Sequence, residues 1–257
     1  MRPPGLKSLG AGCLGRQQSV AVLIVALCFF AARSQAVTND FFARGMSAQS
    51  AGDFVVAAAL FESGLKQQPS VGAYVNLGIT QWQGGHAGTA ILAWERAAWI
   101  SPYDAQAVQN LAFARTVAQV DAPELRWFET ASTWLPPNSW VWIAGVSLWL
   151  AVGALVLPRV FRWRKSGWQQ SVAALALGVF LFSLTASVGV VSRTNIGFIL
   201  KKNAPLRLMP TSGSELISTL SAGEPVRREK TRGNYYFIRT SMAAGWIARD
   251  QVGLINE

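Results

Sequence analysis

The chain has one histidine and two cysteines in 257 residues, and only 14% of its residues are charged. Each shortage closes off chemistry. Both thiols, Cys13 and Cys28, lie in an N-terminal stretch with the features of an export signal. If that stretch is removed, the mature chain has no thiol, which excludes disulfides, cysteine-ligated zinc and cysteine nucleophiles together. His86 sits alone in a Gly-Gly-His-Ala-Gly turn, where an imidazole is solvated and has no partner for catalysis or metal binding. No nucleophile elbow, Walker loop or zinc spacing occurs. The reading is therefore non-enzymatic, with no cofactor, no metal and no catalytic residue expected. Asp53, Glu62, Glu95 and Glu129 are isolated acids that fit helix surfaces and turns.

Charge is scarce but one-sided, with a formal net of +10. Its distribution argues against a nucleic-acid partner. Residues 1–36 carry four basic groups and no acid, 37–137 carry a net of −3, and 158–170 carry four basic groups and no acid. Residues 194–257 carry a further net of +4, for which a phosphate-binding patch is the alternative reading. Much of the remaining positive charge thus collects where membrane topology requires it.

What the chain has in quantity is apolar sequence. Residues 20–32 form an apolar run too short to span a bilayer and suited to a signal-peptide core, with small residues before a cut after Ala36. An uncleaved anchor is the alternative. Cys28 is a poor lipidation site, because bulky Leu27 precedes it. Residues 140–157 and 171–191 contain no charge, and at about 1.5 Å per residue each covers roughly the hydrocarbon thickness of a bilayer. Between them the loop 158–170 holds Arg159, Arg162, Arg164 and Lys165. Positive-inside logic puts this loop in the cytoplasm and leaves the segments on either side of the hairpin outside. The signal peptide gives the same orientation. The expected location is a bacterial inner membrane with both folded lobes periplasmic or extracytoplasmic. In the linker 118–139, Trp127, Phe128 and Trp134 suggest an interfacial helix before the first span.

Residues 37–117 repeat with an offset of 33. Gly45 matches Gly78, Gly52 matches Gly85, Ala57 matches Ala90, Phe61-Glu62 matches Trp94-Glu95, and Pro69 matches Pro102. This period marks stacked helix pairs. The small residues let helices approach closely, and the rings fill the space beside them. The pattern resembles the tetratricopeptide repeat, with Asp104–Val117 as a further capping helix. Arg44 and Ala48 depart from the family pattern. The resemblance implies a ligand face built by the first helix of each pair: Phe42, Met46, Gln49, Val75, Asn76, Ile79, Trp82, Gln109 and Phe113. Asn76 stands where some relatives grip a peptide carboxylate, but Phe42 and Gln106 occupy the positions of the lysines such a clamp needs. An apolar or mixed peptide groove fits better. The alternative is that these residues only pack against the capping helix.

From residue 196 the period changes to two, with seven short strands expected over 197–201, 206–209, 216–220, 225–230, 235–239, 245–248 and 252–255. The segments APLRLMPTSGSE, LSAGEPV, GNYYFIR and AGWIARDQV resemble the bacterial SH3 domain. That resemblance implies an all-β barrel over 196–257, with Trp246 packing the barrel. Arg227, Arg228 and Tyr235 are candidates for a basic-aromatic surface toward an anionic partner; otherwise the arginines are merely solvated and the tyrosine is half-core. The expected fold is thus multidomain: an all-α tetratricopeptide-like repeat, two transmembrane helices and a C-terminal SH3-like barrel.

In its order of parts the chain resembles BatE-type proteins of the bacterial aerotolerance operon. The resemblance implies a scaffold working with membrane proteins bearing von Willebrand A domains and, across the membrane, with a MoxR-type ATPase. The competing expectation is a sensor that binds peptidoglycan through the SH3-like domain.

Overall fold

A computed structural model of the protein describes residues 40–160 and 167–256. The expected signal peptide, 1–36, and residues 161–166 of the expected loop lie outside them.

The chain opens with five helices in sequence: α1 (40–50), α2 (Phe54–Gln67), α3 (Val71–Gln83), α4 (Ala87–Ile100) and α5 (Ala105–Ala118). Short polar side chains start three of them. Asp53, Ser70 and Asp104 accept from the backbone N–H groups of Val56, Ala73 and Ala107, which would otherwise be unpaired in the first turn. The 33-residue offset reappears in the backbone. Gly52 and Gly85 sit at φ of 81° and 80°, in the turns that reverse α1 into α2 and α3 into α4. Only glycine adopts that conformation without steric cost.

The offset also reappears in the packing. A Cβ at Gly45 would lie 2.8 Å from the Phe61 ring, and one at Gly78 would lie 2.3 Å from the Trp94 ring. In each helix pair a glycine thus leaves room for an aromatic ring on the following helix. Trp94 is anchored further by its indole N–H, which donates to the Val75 carbonyl at 3.1 Å. Pro69 and Pro102 stand two residues past the ends of α2 and α4, where a helix cannot continue.

After the short helix α6 (Trp127–Ser132) come two long ones, α7 (Pro137–Val160) and α8 (Gly167–Arg193). Both are long and apolar enough to cross a membrane, and they contain the runs expected to span it. They pack antiparallel, with Trp140 near the start of α7 against Phe182 in the second half of α8 at 5.8 Å between ring centroids. Apart from Trp140, their buried positions are small: Ala144, Ser147 and Ala151 on α7, and Ala173, Ala176, Ser183, Ala186 and Gly189 on α8. Trp142, Trp149, Leu175, Leu181 and Val188 face outward. This inverts the pattern of a water-soluble helix pair and matches packing in lipid, where small residues bring backbones together.

Seven strands follow: β1 (Ile196–Ile199), β2 (Ala204–Arg207), β3 (Leu216–Leu220), β4 (Pro225–Arg232), β5 (Tyr235–Arg239), β6 (Ala244–Ala248) and β7 (Val252–Leu254). They form one antiparallel sheet in the order β3-β2-β6-β5-β4-β1-β7. The sheet is open: β3 and β7 are its edges rather than neighbours in a closed barrel. Its core includes Leu206, Val226, Tyr236, Ile238, Ile247 and Leu254. The expected inward position of Trp246 is corrected. Period-two alternation gives the inner positions on β6 to Gly245 and Ile247, so Trp246 lies half-buried on the other face against its cross-strand partner Phe237.

β1 joins the two lobes. All four of its residues are buried. Ile199 contributes to the core of the sheet, whereas Ile196 and Phe198 pack into a cluster with Ile91, Trp94, Leu111 and Ala114 of the helical lobe. Full burial of a ring such as Phe198 contributes about 2–3 kcal/mol. The approach is backbone-close: a Cβ at Gly88 of α4 would lie 2.3 Å from the Ile199 carbonyl oxygen. Arg96 completes the seam by donating to the Leu254 carbonyl at 2.8 Å. Helices and sheet therefore share a core at one end of the α7–α8 hairpin.

Candidate functional site

The residues expected to form a ligand face fall on three helices. Phe42 and Met46 on α1 are exposed, with Phe42 edge-on to Phe61 at 5.8 Å. Gln49 is half-buried and its Oε1 has no hydrogen-bond partner. On α3, Asn76, Ile79 and Trp82 are half-buried, and the Asn76 amide donates within its own helix to Gly72. Val75 is buried with Ala97 and Ala107 and presents no surface. On α5, Gln109 and Phe113 are exposed. The Phe113 ring meets Trp82 at 5.7 Å, and Trp82 in turn lies 6.0 Å from Trp94. Trp82 and Phe113 thus make one aromatic patch across α3 and α5, while Phe42 and Met46 stand apart on α1. The nine residues carry no ionisable group, so the face suits an apolar or uncharged polar segment.

The expected basic-aromatic surface divides. Tyr235 is half-buried, and Arg228 donates to the Asn195 side chain at 3.0 Å with its guanidinium over the Tyr236 ring at 5.4 Å. Arg227 turns inward. Its two terminal nitrogens donate to the two carboxylate oxygens of Glu129 at 2.7 and 2.9 Å. Both arginines are committed within the molecule, so neither offers an open charge to an anionic ligand.

The Glu129 node was not visible in the sequence, which suggested a surface acid. Glu129 has no exposed surface. It stands at the third position of α6, where its carboxylate also accepts from the Arg126 backbone N–H at 2.9 Å and so pairs a donor at the start of the helix. The Ser192 hydroxyl, at the end of α8, donates to the same carboxylate. Ser132 lies beside it, accepting from the Arg193 guanidinium at 3.3 Å. Arg193 also stacks over the Trp99 ring of α4 at 4.7 Å. Burial alone would raise the Glu129 pKa. The bonds from Arg227, Ser192 and the Arg126 backbone, with the Arg227 charge, outweigh it and lower the pKa to about 2.

A second, largely buried acid lies nearby in the helical lobe. Glu95 of α4 accepts from Arg115 of α5. Here burial dominates and raises the carboxyl pKa above its usual value, against the lowering effects of Arg115 and Arg193. The capping position of Glu129, and Ser192-Arg193 ending an apolar run, were the available sequence signals. Nothing local points to Arg227 as the partner.

Two clefts flank this junction. One of about 600 Å³ lies between residues 119–126 and the β4–β5 region, lined in part by Asp121, Arg126, Glu229 and Arg239. The other, of about 640 Å³, lies between α2–α4 and the edge strand β7, lined in part by Leu65, Tyr74, Leu92 and Leu200. Among the described residues, no group of three or more His, Cys, Asp or Glu is placed to hold a metal ion. No protein-family model matches the chain, and a search of curated proteins finds no similar sequence.

Proposed function

We propose that the protein is a non-enzymatic membrane adaptor, in which α7 and α8 span the bilayer and hold a tetratricopeptide-like lobe and an SH3-like lobe together on the outer side of a bacterial inner membrane. The partner surface is the uncharged face of α1, α3 and α5, centred on the Trp82–Phe113 pair. The observation that carries this reading is the shared core of the two lobes at one end of an inside-out helical hairpin. Tethering raises the effective concentration of such a platform toward other membrane proteins. The partners that the likeness to BatE-type proteins suggests bear von Willebrand A domains, with a MoxR-type ATPase reached indirectly across the membrane.

The test is photo-crosslinking in intact cells, with the crosslinker placed at Gln109 beside Phe113 and, as a control, at Val55, which is exposed on α2. The expected result is a discrete adduct with a membrane protein from Gln109 and not from Val55. The adduct should be lost when Trp82 and Phe113 are both replaced by Ser. No adduct from Gln109, or equal adducts from both sites, would count against an adaptor working through this face.

A further inference from the structure

α6 is amphipathic in reverse. The side packed into the protein carries the fully buried Glu129 and Ser132, with only the small Ala131 buried beside them within the helix. The outward side of the helix carries Trp127 and Thr130, and Trp134 follows in the turn after it, with Trp127 71% and Trp134 55% exposed. A helix in water does the opposite. The arrangement is also held firmly. Glu129 is fixed by Arg227, and the Trp140 indole N–H donates to the Ser132 carbonyl at 3.1 Å, which ties the end of α6 to the start of α7.

A third exposed ring joins this surface from the helical lobe. Tyr103, in the α4–α5 turn, is 76% exposed, and its hydroxyl donates to the Trp134 carbonyl at 2.9 Å. The surface is continuous with the outer flank of the hairpin. Trp134 precedes α7 by three residues, its ring lies 6.1 Å from Phe182 of α8, and beyond it Val141, Trp142 and Val188 are exposed.

We infer that Trp127, Trp134 and Tyr103 form a seat for the bilayer surface, which holds the fused lobes in a fixed orientation against the boundary between headgroups and acyl chains. Indole and phenol rings favour that layer, because each has an apolar body and a polar edge that needs a partner. The exposed Arg126 beside Trp127 places a cation where lipid phosphates lie. The helical lobe thus touches the membrane through its own α4–α5 turn and does not merely hang from the linker. The inference rests on α7 and α8 spanning a bilayer, and the test separates the two.

Single cysteines are introduced at Tyr103, Trp127 and Thr130 in the full chain with Cys13→Ser and Cys28→Ser, and each is labelled with an environment-sensitive fluorophore in phosphatidylcholine nanodiscs. Controls are labels at Val55 and Met242, both exposed on the lobes, and at Trp149, exposed in the middle of α7. Thr130→Cys leaves both tryptophans in place, so that result does not depend on losing a ring. Nitroxide lipids quench from the headgroup or from deep in the acyl chains. The expected result is deep quenching at 149, with blue-shifted emission and severalfold stronger shallow quenching at 103, 127 and 130 than at 55 or 242. Deep quenching at 149 with 103, 127 and 130 no better quenched than 55 overturns the seat while the span stands. Absence of deep quenching at 149 overturns the span and the seat with it.

Discussion

Glu129 and Glu95 are both carboxylates withdrawn from water beside an arginine, yet their environments act on them in opposite directions. Glu129 meets a bidentate guanidinium, a hydroxyl and a backbone N–H, and its pKa falls to about 2. Glu95 hydrogen-bonds to Arg115, and burial raises its pKa. Proximity of an arginine does not by itself lower a pKa that burial raises. The balance decides: desolvation is the largest single influence on each carboxyl, and only at Glu129 do the donors together outweigh it. The better-satisfied acid is also the one at the junction of parts, joining α6 to the end of α8 and to β4.

The largest expected effect follows from that donor count. Glu129→Gln keeps the shape but offers one acceptor oxygen to donors that now use two, and it turns an amide N–H₂ toward the others. It also leaves the mostly buried Arg227 cation unpaired. Stranding one partner of a buried pair costs about 3–5 kcal/mol. Thermal unfolding of the purified full-length protein in detergent should show a large drop in midpoint. A loss within experimental scatter would mean that the node does not hold the lobes together.

The next effect is in the acid profile. The folded-state pKa of Glu129 is depressed from 4.5 to about 2. Its contribution is therefore fully present above about pH 4.5 and is lost as the pH falls toward 2. A shift of that size corresponds to about 3 kcal/mol. Glu95 works with the opposite sign. Its folded-state pKa is raised, so it favours the folded state most below the unfolded value, and that contribution is lost as the pH rises through the folded one. Denaturant titrations between pH 2 and pH 7 should find that Glu129→Gln flattens the acid loss of stability. If the wild type and Glu129→Gln lose stability in parallel between pH 6 and pH 2.5, the donors on Glu129 have no net effect.

How much of this was legible in the sequence depends on the range over which each feature is encoded. The strands over 216–220 and 235–239 coincide with β3 and β5, because alternation and flanking turns are written within a few residues. The contacts of Gly45 with Phe61 and of Gly78 with Trp94 lie within one helix pair, and the 33-residue offset repeats them. The orientation of Trp246 was readable from the same alternation that located β6, but carrying its position over from the SH3 resemblance placed it on the wrong face. Glu129 and Arg227 are 98 residues apart, with the α7–α8 hairpin between them. No periodicity carries that pairing. For the same reason Arg227 read as a surface cation and the meeting of the two lobes was not foreseen. On the expected ligand face, Trp82 and Phe113 are brought together only by the stacking of α3 beside α5, which a list of first-helix positions does not specify.

The smallest effect is expected at Glu95, and it tests the comparison most sharply. Glu95→Gln keeps an oxygen for Arg115 and removes a charge that burial disfavours. What is lost is the attraction to Arg115 and, at longer range, to Arg193; what is gained is the relief of a desolvated anion. These terms oppose one another, so the net change should stay within about 1 kcal/mol, against several for the same chemical change at Glu129. The acid profile adds a second readout. Without Glu95 the contribution that grows on acidification disappears, so the variant should lose stability more steeply than the wild type as the pH falls. Equal losses from Glu95→Gln and Glu129→Gln, with parallel acid profiles, would mean that burial beside an arginine is enough. The multiple donors that distinguish the two sites would then have no energetic consequence.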